Sequence, residues 1–210
     1  MRADKPKKVL EGGVAVLPES LACDRPNIGV VIIRGAPGVG KSTLAEMLRR
    51  TINGCAVIDV DDIRRMICDE RFVYKENDHY LKAIDVAGDL VRKLTELGFR
   101  PVFVIDVFAV EALRAFVQRM RGADIFSVSL YADDDILLDR MKARHNGYVN
   151  VDVARSVNRH IYETRGLSHA WLDIGALSPI EIHERFLELM RSPPNMGCRS
   201  GLTLLVRSQG

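Results

Sequence analysis

The chain has 210 residues, 47% of them hydrophobic and 28% charged, with 16 glycines and 8 prolines spread along its length. This fits one α/β-sized globular domain with short extensions, and it excludes a collagen, a low-complexity disordered chain and a disulfide-built miniprotein. A formal charge of +2 is too small to argue for a nucleic-acid or membrane partner by electrostatics alone.

Residues 1–27 read as an N-terminal extension. They hold a basic start, Gly12-Gly13 and a short apolar run from Val14 to Leu17, with room for an extra edge strand or hairpin. No apolar segment of signal-peptide length follows the basic start directly, and nowhere do ~18 apolar residues run together as a membrane span requires. Cys23, Cys55, Cys68 and Cys198 lie far apart without a CxxC pair, so free thiols in a reducing compartment are expected. A cytoplasmic protein is the resulting expectation.

From Ile28 the pattern alternates between short β-branched runs and longer stretches of helical spacing. Strands are predicted at Ile28–Arg34, Ala56–Val60, Pro101–Asp106 and Phe126–Tyr131, with a weaker fifth around Trp171–Ile174. Between them, helices are predicted over Lys41–Thr51, His79–Leu97, Ala109–Arg121, Asp134–Arg144 and Val151–Arg165. Gly98 supplies a stop for the second of these. Ser178-Pro179-Ile180-Glu181 marks the start of a last helix, with Ile182, Phe186, Leu189 and Met190 on one face. Continuous apolar strands alternating with helices predict a three-layer α/β domain over 28–191: a mainly parallel five-stranded sheet with helices on both faces. Residues 192–210 read as a tail.

The strongest signal is Gly35-Ala36-Pro37-Gly38-Val39-Gly40-Lys41-Ser42-Thr43, a complete GxxxxGK[ST] pattern between a predicted buried strand and a predicted helix. Polyphosphate needs converging backbone N–H donors, and a glycine-rich turn lets the main chain wrap that closely. The helix N-terminus adds its dipole, Lys41 reaches the β and γ phosphates, and the Ser42 hydroxyl suits Mg²⁺. ATP and Mg²⁺ are the expected ligands.

A phosphate loop alone is common to kinases, ATPases, GTPases and motors, so what stands beside it matters. The second strand runs into Asp61-Asp62-Ile63-Arg64 at its carboxyl end, where ligands bind in open α/β sheets. Phosphoryl transfer needs the acceptor hydroxyl oriented and relieved of its proton, which makes Asp61 the candidate base. Arg64, one helical turn on, suits an acceptor-side phosphate or carboxylate. The plainer reading of Asp61, a helix-start acid paired with Arg64, is weighed lower; for Asp59 and Asp62 the structural reading is preferred. The third strand ends in Asp106, the position from which an acid steers Mg²⁺ or its waters. Arg140 and Arg144, four apart on one helix face before a polar turn, form a short lid candidate able to converge on the transferring phosphoryl group.

In order and spacing these motifs, GxPGxGKST, then DDxR with its first acid 20 residues beyond Lys41, a strand ending in Asp, and RxxxR, resemble the P-loop kinases of the nucleoside-monophosphate-kinase-like fold. Within that fold they are most similar to the polynucleotide 5′-hydroxyl kinase and zeta-toxin-like group. The resemblance spans roughly 28–188 and implies Asp61 as general base, Arg64 as acceptor-phosphate ligand, Lys41 and Ser42 as triphosphate and metal ligands, and Arg144 as lid arginine. Two departures stand out. Asp106 is followed by Val107-Phe108 rather than a polar pair, which predicts a more apolar pocket lined by Phe108. Residues 65–80 carry mixed charges without the basic cluster a nucleic-acid strand favours.

The expected activity is therefore transfer of the ATP γ-phosphoryl group to a hydroxyl or phosphate acceptor, a small molecule or a polynucleotide 5′ end. The alternative is a nucleotide-hydrolysing switch module without a separate acceptor. The five histidines show no metal-ligand spacing, and Trp171 is expected to anchor the core beside the fifth strand.

Overall fold

A computed structural model describes residues 29–67, 77–142 and 150–192. The N-terminal extension, the tail beyond Ser192, and Arg144 with the turn that follows it lie outside the described residues.

Five strands, β1 (Val30–Gly35), β2 (Ala56–Asp59), β3 (Val102–Asp106), β4 (Ile125–Tyr131) and β5 (Ala170–Asp173), form one sheet in the order β2-β3-β1-β4-β5. Every pairing is parallel. Each strand after β1 is reached through a helical segment: α1 (Lys41–Thr51), α2 (Val60–Ile67), α3 (Asn77–Glu96), α4 (Val110–Arg119), α5 (Asp134–Lys142) and α6 (Val151–Glu163), with α7 (Pro179–Arg191) last.

Strand parity explains the two cores. Val31, Ile33, Phe103, Ile105, Phe126 and Val128 point to the side covered by α1 and α7. Val30, Ile32, Val102 and Val104 point to the other, where they meet Ile63, Ala83, Ile84, Leu113 and Phe116 of α2, α3 and α4. A strand buried on both faces cannot alternate polar and apolar residues, which is why β1 reads as a continuous run and is buried along its whole length. Each such Val or Ile contributes ~1.5–3 kcal/mol of transfer free energy.

Local signals behave as their chemistry requires. Gly98 takes φ 92 after α3, and the Gly98 and Phe99 N–H groups bond back to the Thr95 and Leu94 carbonyls. At α7 the Ser178 hydroxyl accepts from the Glu181 N–H while the Glu181 carboxylate accepts from the Ser178 N–H, a complete capping box.

Two expectations fail for one reason, the position of an element in the assembled layers. Trp171 is 45% exposed, because β5 is the edge strand of the sheet. Its ring meets Tyr131 and Tyr162 instead of the core. Phe108 faces the core rather than solvent. It sits at φ 49, fully buried against Phe116 in the core under α4.

Candidate active site

β1 ends at Gly35, and the chain then turns through the phosphate loop into α1. A Cβ on Gly35 would lie 2.7 Å from Val39 Cγ1 and 3.0 Å from the Leu130 carbonyl oxygen, so only glycine lets the loop fold this tightly against β4. Gly40 caps α1 at φ 98, a left-handed conformation that glycine adopts without steric penalty. Lys41 Nζ donates to the carbonyls of Gly35 (2.8 Å) and Ala36 (3.1 Å), which holds its ammonium across the mouth of the loop. Ser42 and Thr43 are exposed on the first turn of α1.

The sheet brings the predicted acids to this same end. β3 lies between β1 and β2, with Arg34 opposite Asp106 and Asp59 opposite Ile105. Asp59 Oδ1 accepts from the Asp61 N–H at 3.0 Å and so caps the start of α2. Burial pushes the Asp59 carboxyl up to about 6, reinforced by the charges of Asp61 and Asp62 and opposed by Lys41. Asp61 is half exposed and accepts from Arg64 Nη1 at 3.0 Å, while the Arg64 side chain is almost wholly buried. The Asp61–Arg64 pair expected on structural grounds therefore forms, and it leaves the acid open to solvent. Asp62 instead pairs with exposed Arg65 away from the cluster.

Asp106 is buried at the end of β3. Its Oδ2 accepts from the Tyr80 hydroxyl and from the Phe108 N–H (3.4 Å), whereas Oδ1 has no hydrogen-bond partner among the described residues. Burial raises the Asp106 carboxyl above its ordinary range; the Tyr80 bond and the Lys41 charge pull the other way. Tyr80 itself was not singled out by the sequence reading. Burial and the Asp106 charge hold its phenol well above the usual range, so it stays a donor, and its ring lies 4.9 Å from the Arg64 guanidinium. The available signal was helical phase: Tyr80 shares a stripe with buried Ala83, Ile84 and Ala87.

Beyond the other flank of the loop is a cavity of about 250 Å³, lined by Gly38, Gly40, Thr43, Arg140, Pro179 and Ile182. Arg140 Nη2 donates to the carbonyls of Ile174 (3.1 Å) and Leu177 (3.3 Å), so this arginine is anchored to the β5–α7 connection at the cavity wall. Pro179 and Ile182 entered the sequence reading only as parts of a helix start and a core face; their place in the cavity follows from α7 packing on α1.

An oxygen-donor site for a hard cation fits these residues: Asp106 Oδ1 is a buried acceptor without a partner among the described residues, and the Ser42 hydroxyl stands exposed where α1 begins. Among the described residues, no three His, Cys, Asp or Glu side chains gather as a self-sufficient metal cage. That suits Mg²⁺, which takes one or two protein oxygens and completes its shell with phosphate and water. Nor, among those residues, is any helix long and apolar enough to cross a membrane. Cys55 keeps its thiol, which donates to the Leu48 carbonyl at 3.8 Å.

A family described as an AAA domain matches residues 31–162, which contain the phosphate loop, Asp61 to Arg64, Asp106, Arg140 and Arg144. The chain belongs to this AAA-domain family. A comparison with curated proteins finds no match. Among solved structures, a gluconokinase from Sinorhizobium meliloti 1021 superposes with TM-score 0.59 at 20% identity, covering 78% of this chain and 92% of its own. A sugar kinase from Janibacter sp. HTCC2649 gives 0.61 at 14%, covering 79% and 96%. The tunicamycin resistance protein of Deinococcus radiodurans gives 0.57 at 16%, covering 77% and 94%. At these identities the likeness establishes the fold: within its AAA-domain family the chain has the P-loop kinase architecture that its motifs resemble.

Proposed function

We propose that the chain is an ATP- and Mg²⁺-dependent phosphotransferase that moves the γ-phosphoryl group to a hydroxyl acceptor in the cytoplasm. The observation that carries this reading is the convergence, at one end of the sheet, of a phosphate loop, a solvent-open carboxylate paired with a buried arginine, and a second buried acid. A hydrolytic switch has no need of an acceptor-side acid and arginine.

In the proposed reaction the loop amides and Lys41 bind the β and γ phosphates, and the nucleoside lies towards the cavity bounded by Thr43, Arg140, Pro179 and Ile182. Asp61 orients the acceptor hydroxyl and takes its proton as the acceptor oxygen bonds to the γ-phosphorus and the β–γ bridging bond breaks, releasing ADP. Arg64, held beside Asp61, binds an anionic or polar group of the acceptor. Arg144, outside the described residues, is assigned the lid role in which its charge offsets that building on the transferring group. Ser42 and Asp106 would hold Mg²⁺ directly or through water; when bound, the ion neutralises charge on the β and γ oxygens.

The gluconokinase and the sugar kinase among the structural relatives make gluconate and simple sugars the first acceptors to try. The test is transfer of label from γ-labelled ATP to these, to nucleosides, nucleotides and 5′-hydroxyl oligonucleotides. Labelled product that disappears in Asp61→Asn is expected. Acceptor-independent phosphate release that survives Asp61→Asn would overturn the reading in favour of a switch.

A further inference from the structure

Tyr80 touches both halves of the site, and neither motif that defines those halves contains it. It is carried by α3, which lies across the ends of β2 and β3 and is fixed there by Ala83, Ile84 and Ala87, all fully buried. From this platform its hydroxyl donates to Asp106 Oδ2, and its ring packs against the Arg64 guanidinium at 4.9 Å.

We infer that Tyr80 is a positioning residue, which sets the metal-side acid through its hydroxyl and the acceptor-side arginine through its ring. The inference rests on the kinase reading above and deepens it.

The donor half of the role follows from counting acceptors. Asp106 has two carboxylate oxygens in a buried place. Tyr80 and the Phe108 N–H both engage Oδ2, which leaves Oδ1 as the oxygen without a partner among the described residues. A carboxylate pinned through one oxygen cannot rotate freely, so the other keeps a fixed direction and needs no reorganisation to bind a cation or its water. Without the hydroxyl, the backbone N–H groups of Val107 and Phe108, the latter at a long 3.4 Å, would be left to hold the group among the described residues.

The acceptor half follows from the shape of arginine. Arg64 is nearly buried, and Asp61 engages its Nη1. That bond fixes one edge of the guanidinium. An aromatic face beside the cation supplies the second constraint and some attraction. The same ring thus helps set the orientation in which the guanidinium meets an acceptor, relative to the base Asp61.

The two contacts use different parts of one side chain, so they separate chemically. Tyr80→Phe keeps the ring and deletes the hydroxyl; Tyr80→Leu deletes both. Isothermal calorimetry with ADP, with and without Mg²⁺, reads the donor half without turnover. Steady-state kinetics with the acceptor found in the transfer screen read the other half, and thermal unfolding of each variant accompanies both.

For Tyr80→Phe we expect the Mg²⁺-dependent gain in ADP affinity to shrink several-fold and kcat to fall ~10-fold, the scale of one hydrogen bond to a buried charge. The acceptor KM should stay within about twofold, because the cation–π contact survives. In Tyr80→Leu the acceptor KM should rise a further ~10-fold.

Equal ADP affinity and kcat in wild type and Tyr80→Phe would overturn the donor half. An acceptor KM that rises as much in Tyr80→Phe as in Tyr80→Leu, in parallel with a falling melting temperature, would mean that Tyr80 only supports the fold. If wild type transfers to no acceptor while Tyr80→Phe still loses its Mg²⁺-dependent affinity, the kinase reading and the acceptor half fall and the donor half stands.

Discussion

The two flanks of the phosphate loop are built on opposite principles. On the β3 flank, Asp59, Asp61, Arg64, Tyr80 and Asp106 crowd ionisable groups into a largely buried space, tied together by hydrogen bonds. On the α7 flank a cavity of about 250 Å³ is walled by glycines, Thr43, Pro179 and Ile182, with Arg140 as its one charged wall among the described residues. The contrast teaches a division of labour. On the proposed reading, charge on the β3 flank is held in place in advance for bond making, whereas on the α7 flank shape and a few polar anchors recognise a nucleoside.

The most severe break should come from the residue shared by both flanks. Lys41→Ala should lower transfer at least ~10³-fold with every acceptor and weaken nucleotide binding as well, measured by turnover and calorimetry. Substantial remaining activity would contradict the loop assignment. Asp61→Asn should act on one flank alone, reducing kcat ~10²–10⁴-fold while ADP affinity stays near that of wild type. Equal losses in both would make Asp61 a structural acid.

Ile182→Trp is the complementary experiment on the cavity flank. Filling the space beside Thr43 and Pro179 should weaken nucleotide affinity ~10-fold and leave the rate at saturating ATP almost unchanged. If instead kcat falls and affinity holds, the nucleoside does not lie there.

The smallest effect concerns Asp59, whose carboxyl is pushed up to about 6 in the folded protein, chiefly by burial. Between about pH 4 and 6 the folded state therefore binds more protons at this position than the unfolded chain does. Stability from this group is present below its unfolded pKa and is lost as pH rises through the folded one. Asp59→Asn keeps a side-chain oxygen for the Asp61 N–H but never ionises. Its melting temperature should exceed that of wild type at pH 7 and converge with it near pH 4. A variant less stable than wild type at pH 7 would show that the charge itself is needed there.

Much of this was legible beforehand, and the reasons are local. A strand buried on both faces must be continuously apolar, so β1, β3 and β4 announced themselves; the box at Ser178 and the stop at Gly98 are short-range hydrogen-bond devices contained in four or five residues. Lys41, Asp61, Arg64 and Asp106 were legible because each stands at a strand end or helix start, and in a parallel sheet those ends share one side. Tyr80 was not legible, since nothing in its own neighbourhood says that α3 will lay it across Asp106, 26 residues on. Arg34 behaves likewise: its fully buried guanidinium bonds to the carbonyl and hydroxyl of Thr164, 130 residues away, and burial lowers its pKa to about 10. Read locally, it was only the polar end of a strand.

The order of residues along the chain was enough to specify a nucleotide-phosphate cradle and the α/β alternation around it, because backbone conformation and two-sided burial depend on near neighbours. Which aromatic ring meets which charge, that Trp171 stays partly in solvent and which oxygen of Asp106 is left open among the described residues were decided only when α3, β5 and α7 took their places in the layers. Those contacts join residues far apart in the chain, and their geometry exists only once the intervening elements have packed.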